Sequence, residues 1–235
     1  MANPTTPEPV APGVYRVDAF AIPNAISVLL LENDDGWTLM DTGVKGSVRR
    51  IQEALDALGS GPDDLKRIFL THHHDDHVGG LRGLLEWVPG AEVGASAHEA
   101  EVISGRRRID PSSNAAIRYM TRNTELPMAP VTKVLREGDF VSGFRIIATP
   151  GHTLGHVSLL RDEDGLLFTA DAFGYLPRKI RVGVVKAFCT NPKEARRSAE
   201  KLLAEDFATV VMTHGPMLRA GAKRTLREAV ARCRY

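Results

Sequence analysis

The chain has 235 residues, 43% of them hydrophobic, and its 30 basic and 29 acidic side chains leave a net charge of +1. That length and apolar share can bury a substantial core and predict one domain over residues 13–235. Near neutrality argues against a global field recruiting nucleic acid or an acidic membrane, and no apolar run reaches the roughly 18 residues of a membrane span. The opening, Met1-Ala2-Asn3-Pro4-Thr5-Thr6-Pro7-Glu8-Pro9, lacks the basic and apolar regions of a secretory signal, so a cytoplasmic location is the simplest expectation. Its four prolines within residues 1–12 predict a flexible tail. Alternating apolar residues then predict strands over Val14–Phe20, Ala25–Leu31 and Trp37–Met40, the last two joined by the turn Asn33-Asp34-Asp35-Gly36. Val48, Ile51, Leu55 and Leu58 sit at helical spacing behind Ser47 and before Gly59. A strand is expected over Arg67–Thr71 and a helix over Val78–Trp87, ended by Pro89.

The second half repeats this alternation. Strands are expected over Val131–Arg136, Phe144–Thr149, Val157–Leu160, Leu166–Ala170 and Thr209–Thr213, with helices over Lys193–Leu203 and Ala222–Cys233. Two strand-rich stretches, each followed by helices, suggest two sheets back to back with helices outside, although periodicity alone does not select that over another α/β layering. Cys189 and Cys233 are the only cysteines and form no CxxC, so both read as reduced, packed thiols.

The chemistry-bearing residues follow predicted strands. In Thr71-His72-His73-His74-Asp75-Asp76-His77, alternation in an extended loop sends His72 and His74 to one side, while Asp76 and His77 fall at a helix start. His152, Asp171 and His214 each lie just past a later strand, in Pro150-Gly151-His152, Ala170-Asp171 and Thr213-His214-Gly215. Imidazole nitrogen and carboxylate oxygen are the donors that zinc and neighbouring divalent metals take. Short turns at strand ends can converge such ligands on one mouth, with Gly79, Gly80, Gly151 and Gly215 permitting close backbone approach. His73 and His156 fall off this pattern and read as groups behind the ligands or at the surface, and His98 reads as a helix residue. Arg106-Arg107-Arg108 could steer an anionic substrate, although such a run is usually a solvated face.

The HxHxDH motif His72, His74, Asp76, His77, followed by an isolated His152, Asp171 and His214, resembles the metallo-β-lactamase-fold hydrolase superfamily. The match runs from Leu39-Met40-Asp41-Thr42-Gly43 to His214. The resemblance implies an αββα sandwich of two mixed sheets with helices on the outer faces. It also implies two divalent metals, zinc with manganese or iron as alternatives. His72, His74 and His152 would hold one ion and Asp76, His77 and His214 the other, with Asp171 shared and Asp41 supporting the ligands. A metal-bridged hydroxide would then cleave a small ester, lactone or thioester, with Asp76 and Asp171 as catalytic carboxylates. Lactonases of the fold carry a Tyr shortly after the bridging Asp, and Tyr175 stands in that relation here. Glyoxalase II resembles the site too, but it has a helical C-terminal substrate domain, whereas 21 residues follow His214. Alternatives are an iron-dependent persulfide dioxygenase using His72, His152 and Asp171, and a non-catalytic metal-binding member.

Two segments carry no ligand candidate: Ser104–Pro130, with an amphipathic Asn114–Arg122 and the stop Pro127-Met128-Ala129-Pro130, and Gly174–Thr190. Both are expected to line the substrate pocket, with Tyr119, Met120, Tyr175 and Phe188 as apolar contacts. The implied partner is a small-molecule substrate, with neither nucleic acid nor membrane, and the sequence sets no oligomeric state.

Overall fold

The computed structural model describes residues 5–126, 128–176 and 178–234. The chain forms two compact units, Met1–Arg107 with Leu126–Val134, and Arg108–Glu125 with Leu135–Tyr235. In the first, β1 (Glu8–Ala11), β2 (Val14–Asp18), β3 (Ser27–Asn33), β4 (Gly36–Met40), β5 (Leu65–Leu70), β6 (Glu92–Ser96) and β7 (Lys133–Leu135) form one sheet in chain order. The first four strands are antiparallel neighbours, whereas β4, β5 and β6 run parallel, so the sheet is mixed. The predicted hairpin is present: Asn33 opposes Gly36 across Asp34-Asp35, and Gly36 takes φ +126°.

Helices α1 (Val48–Ala57), α2 (Asp75–Val78), α3 (Leu81–Trp87) and α4 (Ala97–Ile103) connect these strands. Ile51, Ala54 and Leu55 of α1 and Leu81 and Leu84 of α3 join Leu30, Leu39 and Ile68 of the sheet in one buried cluster. Leu29, Leu31, Met40 and Phe69, next to these along their strands, are also buried, so the central strands are apolar on both faces.

Two expectations need correction. Residues 8–11 of the expected tail form β1, an edge strand paired with β2, where a proline costs little because one side of the strand is unpaired. Thr5 is buried, with Oγ1 donating to Glu53 Oε2 at 3.1 Å. Residues 1–4 of that tail, and Pro127 of the expected stop, lie outside the described residues. The helix expected over Val78–Trp87 is two helices, parted at Gly79-Gly80.

The second unit holds α5 (Ala115–Thr121), β8 (Phe140–Val141), β9 (Phe144–Ala148), β10 (Val157–Arg161), β11 (Leu166–Phe168), β12 (Phe173–Tyr175), β13 (Ile180–Val182), α6 (Pro192–Leu202), β14 (Thr209–Val211) and α7 (Ala222–Arg232). Its main sheet has the order β14-β11-β10-β9-β8, with β14 and β11 parallel and the rest antiparallel. Ala195, Ala199 and Leu202 of α6 and Leu226, Ala229 and Val230 of α7 pack with Ile147, Leu160 and Leu167. Strands β12 and β13 pair antiparallel at the start of the predicted Gly174–Thr190 segment, beginning one residue before it. Among the described residues, no helix is long and apolar enough to cross a membrane.

Candidate metal centre

Parallel strands deliver the first set of side chains. Because β4, β5 and β6 run the same way, their C-terminal ends place Asp41, the Thr71–His77 loop and the start of α4 at one edge. The loop brings His72, His74 and His77 together, with ring centroids 4.8 Å apart for His72 and His74 and 3.8 Å for His72 and His77. Asp76 is the second residue of α2, its Oδ1 4.0 Å from His77 Nε2, and acidic residues suit that positive helix end.

Asp41 organises this cluster. Its Oδ1 accepts the Thr71 backbone N–H at 2.8 Å, and its Oδ2 accepts the Thr71 hydroxyl at 2.8 Å and His77 Nδ1–H at 2.7 Å. A carboxylate only accepts, so the His77 proton sits on Nδ1 and the Nε2 lone pair remains for a ligand role. Thr71 Oγ1, its proton committed to Asp41, is in turn the acceptor for His72 Nδ1 at 3.1 Å, which gives His72 the same tautomer. Asp41 pays for this position with φ +60°, a left-handed conformation that Asp tolerates better than most residues.

His73 was expected to lie behind the ligands or at the surface. It is buried, and its Nδ1 lies 2.6 Å from Oε2 of Glu99, itself fully buried in α4. Glu99 was missed because only the fold brings α4 beneath the histidine loop; a Glu inside an otherwise apolar buried face is the signal that marks it. His98 lies in α4, as read.

The second unit gathers the other three candidates by the same device. Strands β9, β11 and β14 run in one direction, and their C-terminal ends lead into His152, Asp171 and His214. Asp171 Oδ2 lies 3.2 Å from His152 Nε2, and Asp171 Oδ1 lies 3.5 Å from His214 Nε2. One carboxylate thus faces two imidazoles, one per oxygen. Asp171 follows Ala170, whose φ of +42° turns the chain sharply after β11. Gly151, at φ +128°, lets the His152 turn lie against α6: a Cβ there would stand 2.0 Å from the Ala195 nitrogen.

His156, like His73, is buried behind the candidate ligands. Its Nε2 accepts the Asp171 backbone N–H at 3.1 Å, so Nδ1 carries the proton and donates to Thr149 Oγ1 at 2.8 Å. The chain continues through Ser158 Oγ to the Thr169 carbonyl. Cys189 Sγ lies 3.7 Å from His152 Nδ1, and burial, aided by the Asp171 charge, pushes its thiol up to about 12. A thiol so held is neutral near pH 7, in keeping with a packed cysteine.

Tyr175 donates its backbone N–H to the His214 carbonyl at 2.6 Å and leaves its side chain 40% exposed. The predicted pocket segments touch within the second unit: Ser113 N–H donates to the Cys189 carbonyl at 2.9 Å, and Ser112 Oγ to the Ala187 carbonyl. Tyr119, Met120 and Phe188 are exposed. Arg107 pairs with Glu101 at 2.8 Å, and all three of Arg106–Arg108 are exposed.

The donors in both sets are imidazoles and carboxylates with no thiolate, a chemistry that fits zinc, manganese or iron. The profile of the metallo-β-lactamase superfamily matches residues 21–214. The chain belongs to the metallo-β-lactamase superfamily. It is 30% identical over 231 residues to the uncharacterized protein YobT of Bacillus subtilis, covering 94% of this chain and 96% of that one. A hydroxyacylglutathione hydrolase of Cereibacter sphaeroides is 29% identical over 163 residues, covering 68% of this chain and 51% of its own length, so the superfamily member described here spans about half of that relative. Among solved structures, a Cronobacter sakazakii metallo-β-lactamase with a HARLDQ motif superposes with a TM-score of 0.73 at 24% identity, covering 98% of this chain and 93% of that one. The fold class is therefore the metallo-β-lactamase fold, and members of the superfamily are metal-dependent hydrolases.

Proposed function

We propose that the protein is a dinuclear metal-dependent hydrolase that cleaves a small ester, lactone or thioester. The observation that carries this reading is Asp171, whose two carboxylate oxygens face His152 and His214 separately, as a carboxylate shared by two ions would. In this reading His72, His74 and His152 would hold one ion and Asp76, His77 and His214 the other, with Asp171 shared. Bound divalent ions in such a set acidify water and polarise a carbonyl oxygen. The chain's own residues do the rest. Asp41 and Thr71 fix the His72 and His77 tautomers, and His156 holds the turn that carries Asp171. In this reading Asp76, with a side chain 34% exposed, would take a proton from water, and Tyr175 would orient the leaving group.

The test is reconstitution with zinc, manganese or iron, followed by metal analysis and a panel of lactones, aryl esters and acyl-thioesters. About two ions per chain with hydrolysis of at least one class is expected. One iron per chain, with oxygen uptake on glutathione persulfide and no hydrolysis, overturns the proposal in favour of a dioxygenase. Asp171→Ala is expected to lose at least one ion and nearly all turnover while melting within a few degrees of the metal-free wild type. Unchanged metal content in that variant removes Asp171 from the ligand set.

A further inference from the structure

The charge of this chain is unevenly distributed. Residues 108–125 and 174–190 hold seven basic and two acidic side chains, which leaves the remaining 200 residues with 23 basic against 27 acidic. All seven of those cations are exposed, and among the described residues five of them, Arg118, Arg122, Arg178, Lys179 and Arg181, are not ion-paired. Arg118, Arg122 and Arg181 instead donate to backbone carbonyls of Ser112, Tyr119 and Leu176, which hold the side chains without neutralising them. Elsewhere Arg16, Arg67, Arg145 and Arg161 meet carboxylates.

The same segments expose apolar side chains. Helix α5 buries no residue and leaves Tyr119 66% and Met120 74% exposed, while Leu176 and Phe188 are 39% and 46% exposed. Both segments are tied to the candidate ligands of the second unit. Thr190 N–H donates to the His152 carbonyl at 3.0 Å, Tyr175 N–H to the His214 carbonyl, and Asp110 accepts the Leu154 N–H at 2.6 Å, two residues beyond His152.

We propose that residues 108–125 and 174–190 form a cationic, apolar-faced rim that selects substrates bearing a carboxylate or phosphate remote from the bond to be cleaved. This rests on the hydrolase reading above and names its substrate class. A second copy of the chain is the poorer occupant, because a two-fold contact through this face would set the five cations against themselves. A small anion satisfies them, and the exposed rings and Met120 take its apolar part.

The experiment uses matched 4-nitrophenyl esters on the metal-loaded protein: the glutarate half-acid, its methyl ester, and an analogue ending in a phosphomonoester. The wild type is expected to favour the anionic esters at least tenfold in kcat/KM, through KM, with the preference falling as salt rises from 25 to 300 mM. The pairs Arg118→Glu with Arg122→Glu, and Arg178→Glu with Lys179→Glu, are expected to lower the anionic-to-neutral ratio by three- to tenfold each. Arg224→Glu with Arg227→Glu on α7 makes the same change in net charge and is expected to keep the ratio. An equal wild-type rate on all three esters overturns the rim while leaving the hydrolase standing. If no ester is cleaved, calorimetric binding of glutarate and of a phosphomonoester is read instead, and affinity indifferent to both reversal pairs overturns the proposal. Light scattering that shows a dimer broken by those reversals overturns it in favour of self-association.

Discussion

Asp41 serves two demands at once: it must accept three hydrogen bonds, and its backbone must turn left-handed at the end of β4. A change to Asn separates them, because Asn also tolerates φ near +60° but can offer only one oxygen acceptor and presents an N–H₂ to the other partners. Asp41→Asn is therefore expected to fold while weakening metal binding about 10–100-fold. Chelator competition measures this, and unchanged affinity would reduce Asp41 to a turn residue. Cys189 makes the opposite case of a reactive residue type rendered inert. It is fully buried, and its thiol is pushed up to about 12 from an ordinary 9.0, so little thiolate forms between pH 7 and 9. A disulfide reagent is expected to leave Cys189 unmodified across that range in the folded protein and to label it once denaturant is added. Peptide mapping reads this out, and labelling of the folded protein at pH 7–9 as fast as that of the denatured chain would contradict the burial.

Among the elements, the glycines after α2 govern how the histidine loop meets the 41–43 turn. Thr42 donates both its N–H and its hydroxyl to the His77 carbonyl, at 2.7 and 2.8 Å. A Cβ on Gly80 would stand 2.4 Å from the Thr42 oxygen, a backbone atom, so Gly80→Ala must push these two turns apart. Overpacking of that kind costs about 1–3 kcal/mol. Gly46→Ala, with open space around the new methyl, is the control and is expected to stay near neutral. Denaturant midpoints compare the two variants, and equal midpoints would show that the turns yield. The Gly79-Gly80 pair also explains a misread boundary, since apolar periodicity runs from Val78 to Trp87 straight through the break. Strongly alternating strands and the helices with a clear apolar stripe were legible, because local pattern and final burial agree there. Strand β6 was not legible, since Gly94 and Ala95 interrupt its β-branched signal, nor was β1, where prolines obscure the alternation. The ligand candidates were legible because strand ends mark them. Glu99 and the His156–Thr149–Ser158 chain were not, because each joins residues that only the folded chain brings together.

At the scale of the whole molecule, the proposed centre takes seven ligands, His72, His74, Asp76, His77, His152, Asp171 and His214. Each unit has its own apolar cluster, so each can retain structure without metal. A ligand that binds the folded state alone stabilises it by RT ln(1 + [L]/Kd), about 2.7 kcal/mol when free metal stands at 100 times Kd. For a chain of this length each kcal/mol moves the melting temperature by about 2–4 °C, so chelation is expected to lower it by roughly 5–10 °C. Asp171→Ala removes the carboxylate that both ions would share, so its melting temperature is expected to respond little to the chelator. Calorimetric scans of wild type and variant, with and without chelator and with metal content measured in parallel, check this. If the wild type gives up all its metal with no change in melting, the ions do not stabilise the folded state, and the seven-ligand assignment fails with them.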